Sequence, residues 1–347
     1  MTDVHYEQTV ERLQGYFPFA DDIVEAVAEV AASQAGMDFG GFMNAFDIPA
    51  PSSEHVEGSK PIGVLYIPSE TGQDQTVARA RFLAHGNGLL GGNNQVFQIA
   101  TAHVSAEAAG DGMQTYAFGN PGGIGHTEGQ LSAKDAWKVA RGDARPLIDA
   151  PLRYMASQGV TSLQVDGYSG GTVSAIAATE YAYLYDMEVE HVTNIDPADV
   201  AHRGRKLRAL GSLAADFSST AKALPGYVEA NNLEAFIEAR GDSFLGMANY
   251  LLGLVRPNNI ARSSVMAGSW HESRAETALR YEEKARMHDV WASESELAMD
   301  GIMQAFSNYL HRQFPDRYSS TRLEGQKHTF VNDNALQSAL LIHARRN

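Results

Sequence analysis

Leu163-Gln164-Val165-Asp166-Gly167-Tyr168-Ser169-Gly170-Gly171-Thr172 is the stretch around which this chain is organised. Leu163 and Val165 alternate with polar neighbours, as a short strand requires. Val173 to Met187 is rich in small residues and reads as a helix. Between them, Gly167-Tyr168-Ser169-Gly170-Gly171 fits G-x-S-x-G. A serine set between a strand and a helix turns in a tight, strained bend. That bend lifts its hydroxyl clear of the backbone, at the positive end of the helix. Side chains in place of the flanking glycines would collide with the neighbouring strand and helix. Five-residue matches are common, and a plain Gly-Ser turn in a parallel sheet would read the same way. The strand and helix on either side favour Ser169 as a nucleophile.

Composition narrows the rest. The 347 residues are 44% hydrophobic, enough to bury a substantial core and to exclude wholesale disorder. No run approaches the ~20 apolar residues of a membrane span. The most apolar run, Phe244 to Val255, is too short and carries Asn249 and Gly253. The first stretch carries Asp3, Glu7, Glu11, Asp21 and Asp22 and lacks a secretory apolar core, so the expected location is cytoplasmic. With no cysteine, disulfides, thiolate metal sites and a cysteine nucleophile are excluded. A formal charge of −15 argues against nucleic-acid binding, which needs clustered Lys and Arg.

In chain order, residues 1 to about 46 read as helical, with Val10, Leu13, Ile23, Val24 and Val27 spaced to form apolar faces. Pro49 to Lys60 reads as a polar connector. Strands are expected at Pro61–Pro68, Ala80–Ala84, Gln114–Phe118, Glu190–Ile195, Asp289–Ala292 and Tyr318–Leu323, besides the one before Ser169. Helices are expected near Gln95–Ala108, Ala133–Ser157, Gly301–Arg312 and Ala335–Arg345. Strands alternating with helices predict a mostly parallel sheet covered on both faces, with ligands gathering at the strands' carboxyl ends. From Ala198 to about Ala285 no strand interrupts a helical pattern, too long for a connector, and a helical lid is expected there. The expected organisation is a helical extension over 1–60, a core over 61–197 and 286–347, and the lid over 198–285.

Taken together, the His85-Gly86 loop, the serine bend, the helical insertion, the acidic loop and a late histidine resemble the α/β-hydrolase superfamily over residues 61–347. The loop Pro121 to Thr127 also resembles that family's P-G-x-G-x-S/T turn. The resemblance implies an α/β-hydrolase fold: a mostly parallel sheet flanked by helices, with a helical lid. It also implies a base for Ser169, since a serine hydroxyl is a weak nucleophile until an imidazole removes its proton. Family position, after the last strand and before the last helix, points to His328.

The acid that orients the imidazole has two candidates. Ala292-Ser293-Glu294-Ser295-Glu296-Leu297 is similar to the family pattern G-x-x-S-D-L and puts Glu296 at the acid, with Ala in place of Gly. Asn194-Ile195-Asp196-Pro197-Ala198 resembles the acid-bearing loop of pancreatic-type lipases and offers Asp196 as the alternative. Glu296 is the preferred choice on sequence. The oxyanion needs backbone N–H donors already in place. One is expected from Gly170, the other, by family position, from Asn87.

Gly86-x-Gly88-x-x-Gly91 formally matches a dinucleotide fingerprint, but Asp111 precedes the next strand where an acid should follow it, which argues against NAD. No phosphate loop and no metal-ligand spacing is found, so no cofactor or metal is expected. The expectation is a carboxylesterase-like serine hydrolase acting on a small-molecule acyl substrate through an acyl-serine. Amidase, thioesterase, peptidase and carbon–carbon hydrolase chemistry use the same parts. The alternative is an idle scaffold of the same fold. Homo-oligomers are compatible with either.

Overall fold

The apolar runs assemble into one sheet in a computed structural model, which describes residues 2–16, 19–37, 39–50, 52–59, 61–68, 79–84, 113–118, 131–197, 222, 226 and 270–347. The strands are β1 (Ser52–Glu54), β2 (Ile62–Ile67), β3 (Arg79–Ala84), β4 (Gln114–Phe118), β5 (Ser162–Tyr168), β6 (Glu188–Ile195), β7 (Arg286–Ala292) and β8 (Tyr318–Leu323). Their order across the sheet is β1-β2-β4-β3-β5-β6-β7-β8. Pairings β1–β2 and β2–β4 are antiparallel, and all others are parallel.

Period-two alternation sorts the strand residues onto two faces. Ala80, Phe82, Tyr116, Phe118, Leu163 and Val165 belong to one core. That core is closed by α4 (Ala133–Ala140), α5 (Arg145–Ser157), α6 (Thr172–Tyr181) and α7 (Trp270–Tyr281), through Val139, Ile148, Leu152, Ile176 and Leu279. The opposite face carries Leu65, Leu83, Ala117, Tyr168, Ile195, Val290 and Leu323. It is covered by α1 (Thr2–Tyr16), α2 (Asp21–Gln34), α3 (Phe39–Ala45) and α9 (Asn334–Arg346). The remaining helix, α8 (Asp300–Gln313), follows β7.

The N-terminal helices are therefore built into the main core. Leu13, Ile23, Val24, Val27 and Phe42 are fully or almost fully buried with Leu336 and Leu340 of α9. Arg12 Nη1 lies 3.4 Å from Asp333 Oδ2, and Arg346 Nη1 lies 2.8 Å from Asp22 Oδ2. The connector read from Pro49 to Lys60 holds a strand instead, because β2 offers an open edge and Ser52-Ser53-Glu54 pairs with it. A short, polar edge strand carries no apolar alternation in its sequence, and such edges resist further pairing. Of the expected lid, residues 198–269 lie outside the described residues apart from 222 and 226. Its last part, α7, packs against α6, with Arg274 Nη1 2.9 Å from Glu180 Oε1.

Below the apolar upper half of the second face runs a buried polar belt. Arg81 Nε lies 3.3 Å from Asp166 Oδ2, and Arg81 Nη1 donates to Thr115 Oγ1 at 3.2 Å. His288 Nδ1 and Nε2 meet Ser319 Oγ at 2.7 Å and Thr321 Oγ1 at 3.0 Å, and its ring meets that of His343 edge-on. Burial, reinforced by His343, lowers the His288 pKa from 6.5 to about 4. Burial, with His288, Arg345, Arg286 and Arg81 nearby, takes His191 to about 3.

Lowered values mean that the unfolded chain binds protons which the fold refuses. The stabilisation is then complete above pH 6.5 and is lost as pH falls from 6.5 towards the folded values. His288 alone should contribute roughly 3 kcal/mol of this loss. Denaturant midpoints measured between pH 8 and pH 4 should fall steeply below 6.5, and His288→Gln should flatten that fall. Identical slopes in both proteins would remove His288 from the acid sensitivity.

Candidate active site

Two neighbouring strands end in left-handed residues. Ser169 has φ of +51° and Asp196 has φ of +47°. β5 and β6 pair Tyr168 with Ile195, so Ser169 and Asp196 follow at the same level of adjacent parallel strands. Such strands lie ~4.8 Å apart.

The Ser169 bend has a steric cause. A Cβ on Gly167 would stand 2.7 Å from Ala175 Cβ and 2.9 Å from Thr172 Cα, so only glycine lets α6 come this close to β5. Ser169 to Gly171 then form one 3₁₀ turn that opens into α6, and Thr172 Oγ1 donates to Ser169 O at 2.7 Å. A serine at positive φ is uncommon and is held there by the surrounding packing. Gly167→Ala should destabilise the fold by ~1–3 kcal/mol, because the blocking atoms include backbone that cannot move aside. Thermal melts read this directly, and an unchanged midpoint would mean that α6 shifts freely.

At Asp196, aspartate tolerates the left-handed conformation better than most residues. Its N–H donates to Val290 O at 2.7 Å, which locks the bend onto β7. The side chain is fully buried. Oδ1 accepts from the Ala292 N–H at 2.8 Å, and Oδ2 accepts from Ser295 Oγ at 2.6 Å. Oδ2 also stands 2.5 Å from His328 Nδ1.

His328 reaches that point from the loop after β8. Ser293 N–H donates to Leu323 O at 2.9 Å and Glu294 N–H to Gln326 O at 2.8 Å, lacing the loops after β7 and β8 together. Gly325, with φ of +65°, makes the turn, and its N–H donates to Ser293 Oγ at 2.8 Å. Phe330, 1% exposed, anchors the 3₁₀ turn that His328 begins. A carboxylate on Nδ1 fixes the tautomer that protonates Nδ1 and puts the acceptor lone pair on Nε2, the arrangement a general base needs.

The structure thus brings the late histidine to Asp196, the alternative acid of the sequence reading, through Nδ1. Glu296, the preferred acid on sequence, lies half-buried on the loop after β7, and Glu294 is exposed. The physical reason is local. Ser295 turns inward at this loop, so the carboxylate from β6 takes the Nδ1 position. Gly170, beside Ser169, is buried. Asn87, the Pro121–Thr127 loop and the Gly86-x-Gly88-x-x-Gly91 stretch lie outside the described residues. Among the described residues, no group of three or more His, Asp or Glu is arranged to hold a metal ion. Ser295, whose hydroxyl meets Asp196, was not singled out on sequence, and neither was the buried belt below the site.

No family model matches this sequence, and no curated protein matches it. Solved structures do. A bromoperoxidase from Bacillus anthracis superposes with a TM-score of 0.50 at 11% identity, over 85% of this chain and 100% of that one. This chain has the α/β-hydrolase fold. The chain is also similar to a structure described as an alpha-beta serine hydrolase homologue from Coxiella burnetii, at TM-score 0.39 and 12% identity over 84% of this chain and 95% of that one. The enol-lactonase from Burkholderia xenovorans LB400 superposes at TM-score 0.48 and 11% identity, over 85% and 100% of the two chains. At these identities the α/β-hydrolase likeness concerns the fold, and the chemistry rests on the residues themselves. Among the described residues, no helix is long and apolar enough to cross a membrane.

Proposed function

We propose that the protein is a serine hydrolase that cleaves an ester or related acyl bond through an acyl-serine, with Ser169 as nucleophile, His328 as base and Asp196 as the orienting acid. The observation that carries this reading is the 2.5 Å pairing of His328 Nδ1 with a buried Asp196, one strand away from a serine held at positive φ. In the proposed reaction Ser169 Oγ attacks the substrate carbonyl carbon while His328 Nε2 takes the hydroxyl proton. The carbonyl oxygen becomes an oxyanion, met by the backbone N–H groups of Gly170 and Asn87. As the intermediate collapses, Nε2 returns the proton to the leaving group and the acyl-serine remains. Water, deprotonated at Nε2, then attacks the acyl carbon and releases the acid, restoring Ser169.

Asp196 keeps one ring tautomer in place and stabilises the imidazolium that forms twice in each cycle. The segment 198–285, which follows β6 in the chain, is proposed to govern substrate size. Covalent labelling by a fluorophosphonate tests the whole reading, since only an activated serine reacts. Wild-type protein should be labelled at Ser169, and a fully folded protein that resists labelling would count as an idle scaffold.

A further inference from the structure

The loop after β7 contributes more to the site than its backbone. Ser295 is buried, and its Oγ accepts from the N–H groups of Leu297 at 3.2 Å and Ala298 at 3.0 Å. Two backbone donors occupy both lone pairs of this oxygen, so its own proton has one direction left. It points at Asp196 Oδ2, 2.6 Å away. That same oxygen faces His328 Nδ1, while Oδ1 is held by the Ala292 N–H. The carboxylate is thereby fixed at three points: by β7, by the loop after β7 and by the histidine.

We infer that Ser295 is a positioning residue of the Asp196–His328 pair, holding the carboxylate so that one oxygen faces Nδ1 and drawing off part of that oxygen's negative charge. This rests on the triad reading above. The hydroxyl is a charge-assisted donor inside a buried site, where such bonds are short and about twice as strong as neutral ones. It competes with the imidazole for the same oxygen. Removing it leaves more charge facing the ring and a carboxylate with one tether fewer.

Three variants separate positioning from a turn-capping role. In Ser295→Ala, kcat on an activated ester should fall ~10- to 100-fold with KM little changed. Ser295→Thr, which keeps the hydroxyl, should restore most of it. In an Asp196→Asn background, Ser295→Ala should cost almost nothing further, because Ser295 acts through that carboxylate. The titration of His328 followed by NMR, assigned by comparison with His328→Gln, needs no turnover. It should move to higher pH in Ser295→Ala and return in Ser295→Thr.

Where Ser295→Ala does not fold, Ser295→Cys keeps the size, loses the strong donor and takes the same titration. A His328 titration that stays put or moves down in a folded variant overturns the inference, as does an unchanged kcat in an active enzyme. Wild-type protein with neither turnover nor labelling sinks the hydrolase reading instead, and the titration still decides Ser295.

Discussion

Ser169→Ala should lower kcat on an activated acyl ester by ~10⁴-fold or more while the protein stays folded. The size follows from how the proposed triad would work as a unit. Without Oγ, the base has no proton to remove and no acyl-enzyme forms, so only binding and the oxyanion donors remain. Folding should survive, because serine at this bend makes its structural contribution through the backbone: its carbonyl accepts from Thr172 Oγ1, and alanine keeps that carbonyl. A positive φ of 51° is tolerated no better by alanine than by serine, so a small loss of stability is the expected companion. Steady-state assays, circular dichroism and fluorophosphonate labelling read the three quantities separately. Near-normal turnover by well-folded Ser169→Ala would end the mechanism.

The second large effect belongs to the acid. Asp196→Asn should cost on the order of 10⁴ in kcat, whereas Glu296→Gln should stay within several-fold of wild type. An amide at position 196 can keep the shape of the site. It can also present its NH₂ to Nδ1, which favours the wrong ring tautomer, and it carries no charge to stabilise the imidazolium. Burial sharpens the contrast, since the pair is almost entirely out of water: Asp196 is 0% exposed and His328 is 4% exposed. Low local dielectric strengthens each charge–dipole contact there. Glu296 is half-buried on the loop after β7, while Asp196 is the carboxylate that meets His328 Nδ1. The opposite ranking, with Glu296→Gln the crippled variant, would return the role to Glu296.

Much of the fold is legible in the sequence, and the reasons are local. Strands Gln114–Phe118 and Tyr318–Leu323 fall where strands were expected, and in the first every residue is buried on the sheet. Helices α8 and α9 fall where helices were expected, near Gly301–Arg312 and Ala335–Arg345. The edge strand Ser52–Glu54 was not legible, since a polar strand paired on one side looks like a connector. Nor was the polar belt around Arg81, Asp166 and His288. Each of these groups reads as a surface residue until the partners that satisfy it arrive from other strands and from α9.

The sequence by itself determined the elbow, because Gly167, Ser169 and Thr172 sit within one turn and their constraint is steric and local. It also determined where the late histidine falls, after the last strand and before the last helix. What only the tertiary structure decided is which carboxylate meets that histidine. Asp196 and Glu296 both follow parallel strands at the carboxyl edge of the sheet, β6 and β7. The outcome depends on a positive φ at Asp196, on the 2.7 Å bond from its N–H to Val290 O, and on Ser295 turning inward. Those are contacts between residues nearly a hundred positions apart, and no pattern in a single stretch of sequence records them.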